Sequence, residues 1–214
     1  MTQLLVKEKT KESAAYWGTG FDRDPPGGGG WGFEEAMPSS RYSARIAVWF
    51  LLAAIAMLFM AFTSTYLSRR TVADWVPIAA PRILWANTTI LLVSSGLLEW
   101  SRRALRRGSL WSAQRGFLGT TLLGCTFLAG QILAWRQLVR QGIGLQGSPH
   151  GAFFFLLTGA HGLHILGAIL ALAFVTFSAW KGRYSPGNME PVDLSATFWH
   201  FLDGLWLYLF LLLF

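Results

Sequence analysis

Four ionisable side chains lie inside long apolar stretches, where a polar group must either do chemistry or be packed against protein. His161 and His164 lie near the middle of a stretch from Ala152 to Ala179 that contains no Asp, Glu, Lys or Arg. Their i, i+3 spacing places both on one face of a helix. His200 and Asp203 have the same spacing in the last apolar stretch. Because ionisable groups at this depth rarely face lipid, we expect the two helices to be neighbours and Asp203 to have a histidine as its polar partner.

Histidines in membrane helices can bind haem, and the His161 and His164 pair raises that alternative. Two histidines on one turn are poorly placed to bind opposite faces of one haem, and the CxxCH attachment motif does not occur. A transporter or proton channel would be expected to show repeated halves, broken helices or a row of carboxylates. We therefore predict packed, hydrogen-bonded histidines rather than haem or metal ligands.

The composition is that of a membrane protein. Of the 214 residues, 53% are hydrophobic and only 14% are charged, whereas about a quarter is charged in soluble domains. Five apolar stretches predict helices that cross the hydrocarbon layer, and they cover residues 46–67, 83–98, 117–135, 152–179 and 194–214. The sequence thus predicts an all-α membrane domain with five transmembrane helices over residues 45–214, preceded by a polar, Gly- and Pro-containing tail over residues 1–44.

Small and uncharged polar residues indicate where these helices touch. Small residues four positions apart let helix backbones approach closely. We expect such contacts in the third span at Gly116, Thr120 and Gly124. In the fourth span we expect them at two pairs, Thr158 with Gly162 and Gly167 with Ala171. Hydroxyl and amide side chains can bond across helices or back to their own carbonyl groups. In the second span these side chains belong to Asn87, Thr88, Thr89, Ser94 and Ser95.

The basic residues predict the orientation of the chain. Five spans place the termini on opposite sides of the membrane. With a cytoplasmic N-terminus, 13 of the 18 Lys and Arg lie on the inner side, most densely in the loop predicted over residues 102–115. The other five are Arg69, Arg70, Arg82, Arg136 and Arg140. Basic residues favour the cytoplasmic side, so we predict a cytoplasmic N-terminus and a periplasmic C-terminus. The net charge of +7 is explained in this way, and no motif for nucleic-acid binding accompanies it.

Four blocks of sequence, in order, resemble one known family. They are WANTTILLVSSGLLEW from Trp85, LGTTLLGCTFLAGQILAW from Leu118, GAHGLHILGAILAL from Gly159 and TFWHFLDGLWLYLFLLLF from Thr197. Together they are similar to haem-copper oxidase subunit III, the cytochrome c oxidase subunit III family, in its short five-helix bacterial form. The resemblance covers roughly residues 45–214, and the two histidine-containing blocks match the family's polar positions in its last two helices.

This resemblance implies an accessory subunit of a proton-translocating terminal oxidase in the bacterial inner membrane, acting in aerobic respiratory electron transport. It implies a structural role for the four intramembrane polar residues, with no catalytic residue and no cofactor in this chain. Haem and copper would belong to partner subunits, and bound phospholipid is expected. The main partner would be subunit I, which the family's subunit III stabilises and supports in proton uptake. Other oxidase subunits would be further partners, and membership of a respiratory supercomplex is an open alternative. A quinol oxidase or nitric oxide reductase as parent complex, and an independent small transporter or channel, remain the alternatives.

The sequence departs from the family at one position. Many members have a glutamate in the helix that corresponds to the first span here, where this chain reads WFLLAAIAMLF. The aligned position is about Ile55, and no carboxylate occurs elsewhere in that span. Any role of the family glutamate in proton uptake therefore cannot be transferred to this chain.

Overall fold

Five long helices form the described part of the protein. The computed structural model describes residues 40–71, 81–144, 149–184 and 189–214. The helices are α1 Ser40–Arg70, α2 Arg82–Arg106, α3 Leu110–Arg140, α4 Pro149–Trp180 and α5 Glu190–Leu213. All five are long and apolar enough to cross a membrane. The predicted all-α fold with five spans is confirmed, whereas the predicted tail lies, up to residue 39, outside the described residues.

The junction of α2 and α3 differs from the predicted basic loop. α2 continues to Arg106 and α3 begins at Leu110, so most of residues 102–115 are helical. Ala, Leu and Arg are strong helix formers, which explains why the helices extend beyond their apolar parts. The turn itself depends on Gly108, whose φ of 79° is strained for other residue types. The prediction of a long loop is therefore wrong, and its arginines lie mainly on helix ends.

Four of the helices form a closed ring. α2 packs against α3, α3 against α4, α4 against α5, and α5 back against α2. α1 packs on the outside, against α4 and α5. Large side chains fill the centre of the ring, among them Trp199, Trp206 and Phe127. The predicted contact between the fourth and fifth spans is confirmed, and it brings the two histidine-bearing helices side by side.

The small residues of α3 lie where the ring is tightest. A Cβ added at Gly116 would overlap the Ser101 side chain of α2, and one added at Gly124 would lie 2.6 Å from the Trp199 ring of α5. Thr120, between them, is fully buried and donates to the Gly116 carbonyl oxygen at 2.9 Å. The predicted close-contact face of this span is confirmed.

The small residues of α4 divide into two groups. Thr158 is buried and accepts a hydrogen bond from Trp135 Nε1 of α3 at 3.1 Å. A Cβ added at Gly162 would lie 4.0 Å from the Leu128 side chain, which also belongs to α3. At Gly167 an added Cβ would meet nothing within 4 Å. No described helix of this chain packs at Gly167, because that face of α4 points away from the other described helices, so the predicted contact there stays a prediction.

Replacing Gly124 by Ala should destabilise the bundle. The new methyl group must displace the rigid Trp199 ring or Ile169, whose nearest atom would be 3.0 Å away. Overpacking of this kind costs about 1–3 kcal/mol. Thermal unfolding of the purified protein, followed by circular dichroism, measures the effect. Gly167→Ala is the matched control and should be as stable as the wild type; equal stability of both variants would contradict the close contact at Gly124.

Candidate functional site

His200 and Asp203 lie where α5 faces α2. Ser95 Oγ of α2 is 2.6 Å from His200 Nδ1, and the same nitrogen is 4.0 Å from Asp203 Oδ2. Asp203 is 5% exposed, so it faces the protein interior rather than lipid. The Ser95 hydroxyl also approaches the Asp203 carboxyl group, but neither carboxyl oxygen makes a hydrogen bond to the described residues. The structure thus brings His200 and Asp203 together, with Ser95 rather than Asp203 as the hydrogen-bond partner of the ring.

His161 is enclosed by aromatic side chains. Its ring centroid lies 5.3 Å from Trp206, 6.3 Å from Phe127 and 6.5 Å from Phe59. The residue is fully buried, and neither ring nitrogen has a hydrogen-bond partner among the described residues. The prediction of a packed histidine is correct, but that of a hydrogen-bonded one is wrong, because aromatic rings rather than polar groups surround it. A haem could reach this ring only by displacing those side chains.

His164 has a separate environment. Its Nδ1 lies 2.7 Å from the carbonyl oxygen of Ala160, one turn earlier in α4. Its ring lies 5.8 Å from that of Phe59 in α1. Within the described part of the chain, no hydrogen bond or ion pair joins His161 or His164 to His200 or Asp203. The polar residues of α4 and α5 therefore form two groups, one among aromatic rings and one beside Ser95.

Several polar side chains of α2 join the helices of the ring, which is one of the two roles that the sequence leaves open for them. Trp206 Nε1 of α5 donates to Thr88 Oγ1 at 3.0 Å, and Asn87 Nδ2 donates to the carbonyl oxygen of Phe127 in α3 at 3.2 Å. Trp199 Nε1 donates to Ser94 Oγ at 3.3 Å. These side chains lie at a depth where water is absent, and they obtain their hydrogen bonds from neighbouring helices instead.

An ion-pair network at one end of the ring was not anticipated from the sequence. Arg102 Nη2 of α2 lies 2.6 Å from Asp193 Oδ1 in the first turn of α5, and Arg102 Nη1 lies 2.8 Å from Glu99 Oε2. Arg106 also reaches Asp193, at 3.3 Å. From the sequence, these arginines predict the orientation of the chain and not a salt-bridge partner. The acidic first turn of α5 was the available clue, since carboxylates at helix N-termini are favourably placed and can attract basic partners.

The site contains no arrangement that could hold a metal ion within residues 40–71, 81–144, 149–184 and 189–214. No group of three or more His, Cys, Asp or Glu side chains in these ranges is close enough for that. Ile55, at the position of the family glutamate, is 3% exposed and packs in the core. The fold and the site define an integral membrane protein with five helices, whose intramembrane polar groups mainly contact neighbouring helices or their own backbone.

Comparison with known proteins identifies the family. The family model for cytochrome c oxidase subunit III matches residues 43–214. A probable cytochrome c oxidase subunit 3 of Mycobacterium tuberculosis is 30% identical over 159 residues, which are 72% of this chain and 78% of the relative. A cytochrome c oxidase subunit 3 of Synechocystis sp. is 31% identical over 172 residues, 78% of this chain and 72% of the relative. The protein of that name from Corynebacterium diphtheriae is 35% identical over 124 residues, 58% and 60% of the two chains.

The chain therefore belongs to the cytochrome c oxidase subunit III family. Family membership makes it a multi-pass membrane protein and a member of an oxidase complex that contains other subunits.

Replacing Ser95 by Ala should lower stability, because it leaves His200 Nδ1 without its hydrogen bond inside the protein. An unsatisfied buried polar group costs about 1–3 kcal/mol. Thermal unfolding measures the change. Thr89→Ala is a control on the same helix, since among the described residues the Thr89 hydroxyl bonds only to the Trp85 carbonyl oxygen of its own helix. A Ser95 variant no less stable than the Thr89 variant would argue against a role for the Ser95 and His200 contact.

Proposed function

We propose that this chain is the accessory, non-catalytic subunit III of a bacterial cytochrome c oxidase. The family match over residues 43–214 is the observation that carries this proposal. In the parent complex, haem and copper belong to partner subunits, and subunit I is the main contact. The complex oxidises cytochrome c, reduces oxygen to water and moves protons as part of aerobic respiration. The names of the relatives favour cytochrome c over a quinol as electron donor.

The environments of the histidines support a role without redox chemistry in this subunit. Aromatic rings surround His161, the Ala160 carbonyl oxygen lies beside His164 Nδ1, and Ser95 bonds to His200. A haem ligand needs a ring nitrogen with open space in front of it for the iron, and the aromatic rings around His161 leave no such space there. The three histidines lie on helices that pack side by side. The contacts with the Ala160 carbonyl oxygen and with Ser95 hold the rings of His164 and His200 in place. We infer that their part in the oxidase is structural.

The orientation proposed for the chain is a cytoplasmic N-terminus and a periplasmic C-terminus in the bacterial inner membrane. The end of the ring that carries Arg102, Arg106 and Asp193 would then face the cytoplasm, in agreement with the preference of basic residues for that side. The same end carries an ion pair between Arg45 Nε of α1 and Glu190 Oε1 of α5, at 3.7 Å.

Phospholipid binding is a further part of the proposal. At the last turns of α3, a hollow of about 440 Å³ is lined by an apolar residue, Leu133, and by the polar residues Arg136, Gln137, Arg140 and Gln141. Along α3 the lining changes from the apolar Leu133 to the cationic Arg136 and Arg140. This order matches a phospholipid, whose acyl chains lie deeper in the membrane than its phosphate group. Basic side chains near a membrane surface attract anionic lipid headgroups.

Support of proton uptake belongs to the proposed role as well, but it must use residues other than the family glutamate. The α1 helix, Ser40–Arg70, contains no Asp or Glu, and Ile55 at the aligned position is buried. The proposal therefore assigns this chain its effect on proton uptake through the stability of the complex, rather than through a carboxylate in α1.

Purified alone, the chain should be colourless. Its histidine rings have no opposed partner that would complete the ligation of a haem, so we expect no Soret band and no bound copper. Absorbance spectroscopy and elemental analysis of the isolated subunit provide the measurement, with the whole oxidase as positive control. A stoichiometric Soret band that disappears in the His161→Ala variant would reverse this assignment.

Deleting the chain should leave oxygen reduction possible in the rest of the oxidase. The reacting groups are proposed to lie in partner subunits, so initial oxygen consumption should persist while phospholipid content or endurance under turnover falls. Oxygen uptake of the purified complex over time, with and without the chain, tests this expectation. Restoring the chain should restore endurance. Immediate and complete loss of activity in an otherwise assembled complex would be evidence for a catalytic role.

A further inference from the structure

A groove between α1 and α5 is left open by the contacts described above. Its volume is about 380 Å³. One wall is formed by α1 and the floor by α5. The residues that line it are Ala56, Phe59, Met60, His200, Phe201, Gly204, Leu205 and Tyr208. Tyr208 is already bonded, since its hydroxyl group donates to Thr63 Oγ1 of α1 at 2.9 Å. The imidazole edge of His200 is therefore the polar feature of this lining that calls for explanation.

The His200 ring presents one nitrogen to the protein and one to the groove. Nδ1 is held by Ser95 at 2.6 Å, which fixes the plane of the ring. Nε2 makes no hydrogen bond to the described residues, and the ring lines the groove. His200 lies ten positions after Glu190, at the start of α5, which corresponds to about 15 Å along the helix and to the middle of the hydrocarbon layer. A hydrogen-bonding atom without a partner at that depth costs several kcal/mol.

The floor of the groove is also shaped for close approach. Gly204 follows His200 by one turn, and a Cβ added there would meet nothing within 4 Å. Among the described residues, α5 contacts both α1 and α2, whereas α1 and α2 do not contact each other. A strip of α5 therefore lies uncovered between them. Small residues on such a strip let the backbone of another helix come close.

We propose that a transmembrane helix of a partner subunit packs over α5 at this groove and places a hydrogen-bonding side chain against His200 Nε2. This inference rests on the proposed function, which puts the chain in an oxidase complex. Acyl chains of a lipid carry no hydrogen-bonding group at mid-depth, so a lipid occupant would leave Nε2 without a partner. The partner side chain belongs to the class that bonds within membranes: Ser, Thr, Asn, Gln or a carboxyl-bearing residue.

Photocrosslinking in the intact oxidase tests which occupant is present. A photoreactive amino acid replaces Met60, which is 66% exposed on the α1 wall of the groove. The complex is illuminated in native membranes, and the products are identified by mass spectrometry, with an unilluminated sample as control. A crosslink to a transmembrane segment of a partner subunit is the expected product. Adducts with phospholipid alone, or no adduct, would overturn the proposal while leaving membership of the oxidase intact.

Filling the groove tests the same proposal by another route. Gly204→Leu should lower the amount of partner subunit recovered with the affinity-tagged chain by about tenfold, which corresponds to about 1.4 kcal/mol. Gly167→Leu is the matched control on an equally open glycine, and recovery should equal that of the wild type. The thermal unfolding of each tagged chain is measured in parallel, so that misfolding is recognised separately. Full recovery of partners with a folded Gly204→Leu variant would contradict the proposal.

Two substitutions of His200 test whether its ring nitrogens contribute to the association with the partner subunit. His200→Phe keeps an aromatic side chain but removes both nitrogens, so partner recovery should fall about tenfold, as with the filled groove. His200→Gln keeps a hydrogen-bonding group and should restore part of the recovery. A phenylalanine variant that retains all partner subunits would show that the Nε2 atom contributes nothing to the association.

Discussion

The hydrocarbon layer offers no hydrogen bonds, and the structure of this protein depends on how its polar groups are satisfied without water. α2 carries much of this task. Its side chains accept hydrogen bonds from Trp206 and Trp199 of α5 and donate one to the backbone of α3. These contacts fix α2 between two neighbours, and they place the rings of the two tryptophans in the centre of the ring of helices.

α5 is the helix around which the other contacts are arranged. Its first turn is tied to α1 through Glu190 and to α2 through Asp193, while Tyr208 near its other end reaches Thr63 of α1. Between these ends, His200 and Asp203 lie beside Ser95. The helix thus has ion pairs near one membrane surface and hydrogen-bonding side chains at depth. Ion pairs that are partly exposed contribute little each, about 0–1 kcal/mol, so they serve alignment more than stability.

Much of the fold could be predicted from the sequence because apolar stretches free of charge have few alternatives to a membrane helix. The close-contact face of α3 was predictable for a related reason, since small residues at a spacing of four mark one side of a helix. The surroundings of His161 and the open face at Gly167 were not predictable. Both depend on how each helix is rotated about its axis, and α4 is apolar on nearly every side, so its sequence contains little information about rotation. The partner of Arg102 was missed because Asp193 is 91 positions away in the chain.

The central claim is that this chain supports an oxidase whose chemistry takes place in other subunits. Native purification through a tag on this chain, followed by identification of the copurified chains and of their haem and copper, tests it most directly. The account predicts a stable complex that contains haem and copper in stoichiometric amounts, bound to subunits other than this one. A protein that purifies alone, without a haem-bearing partner, and moves ions across liposome membranes would contradict it.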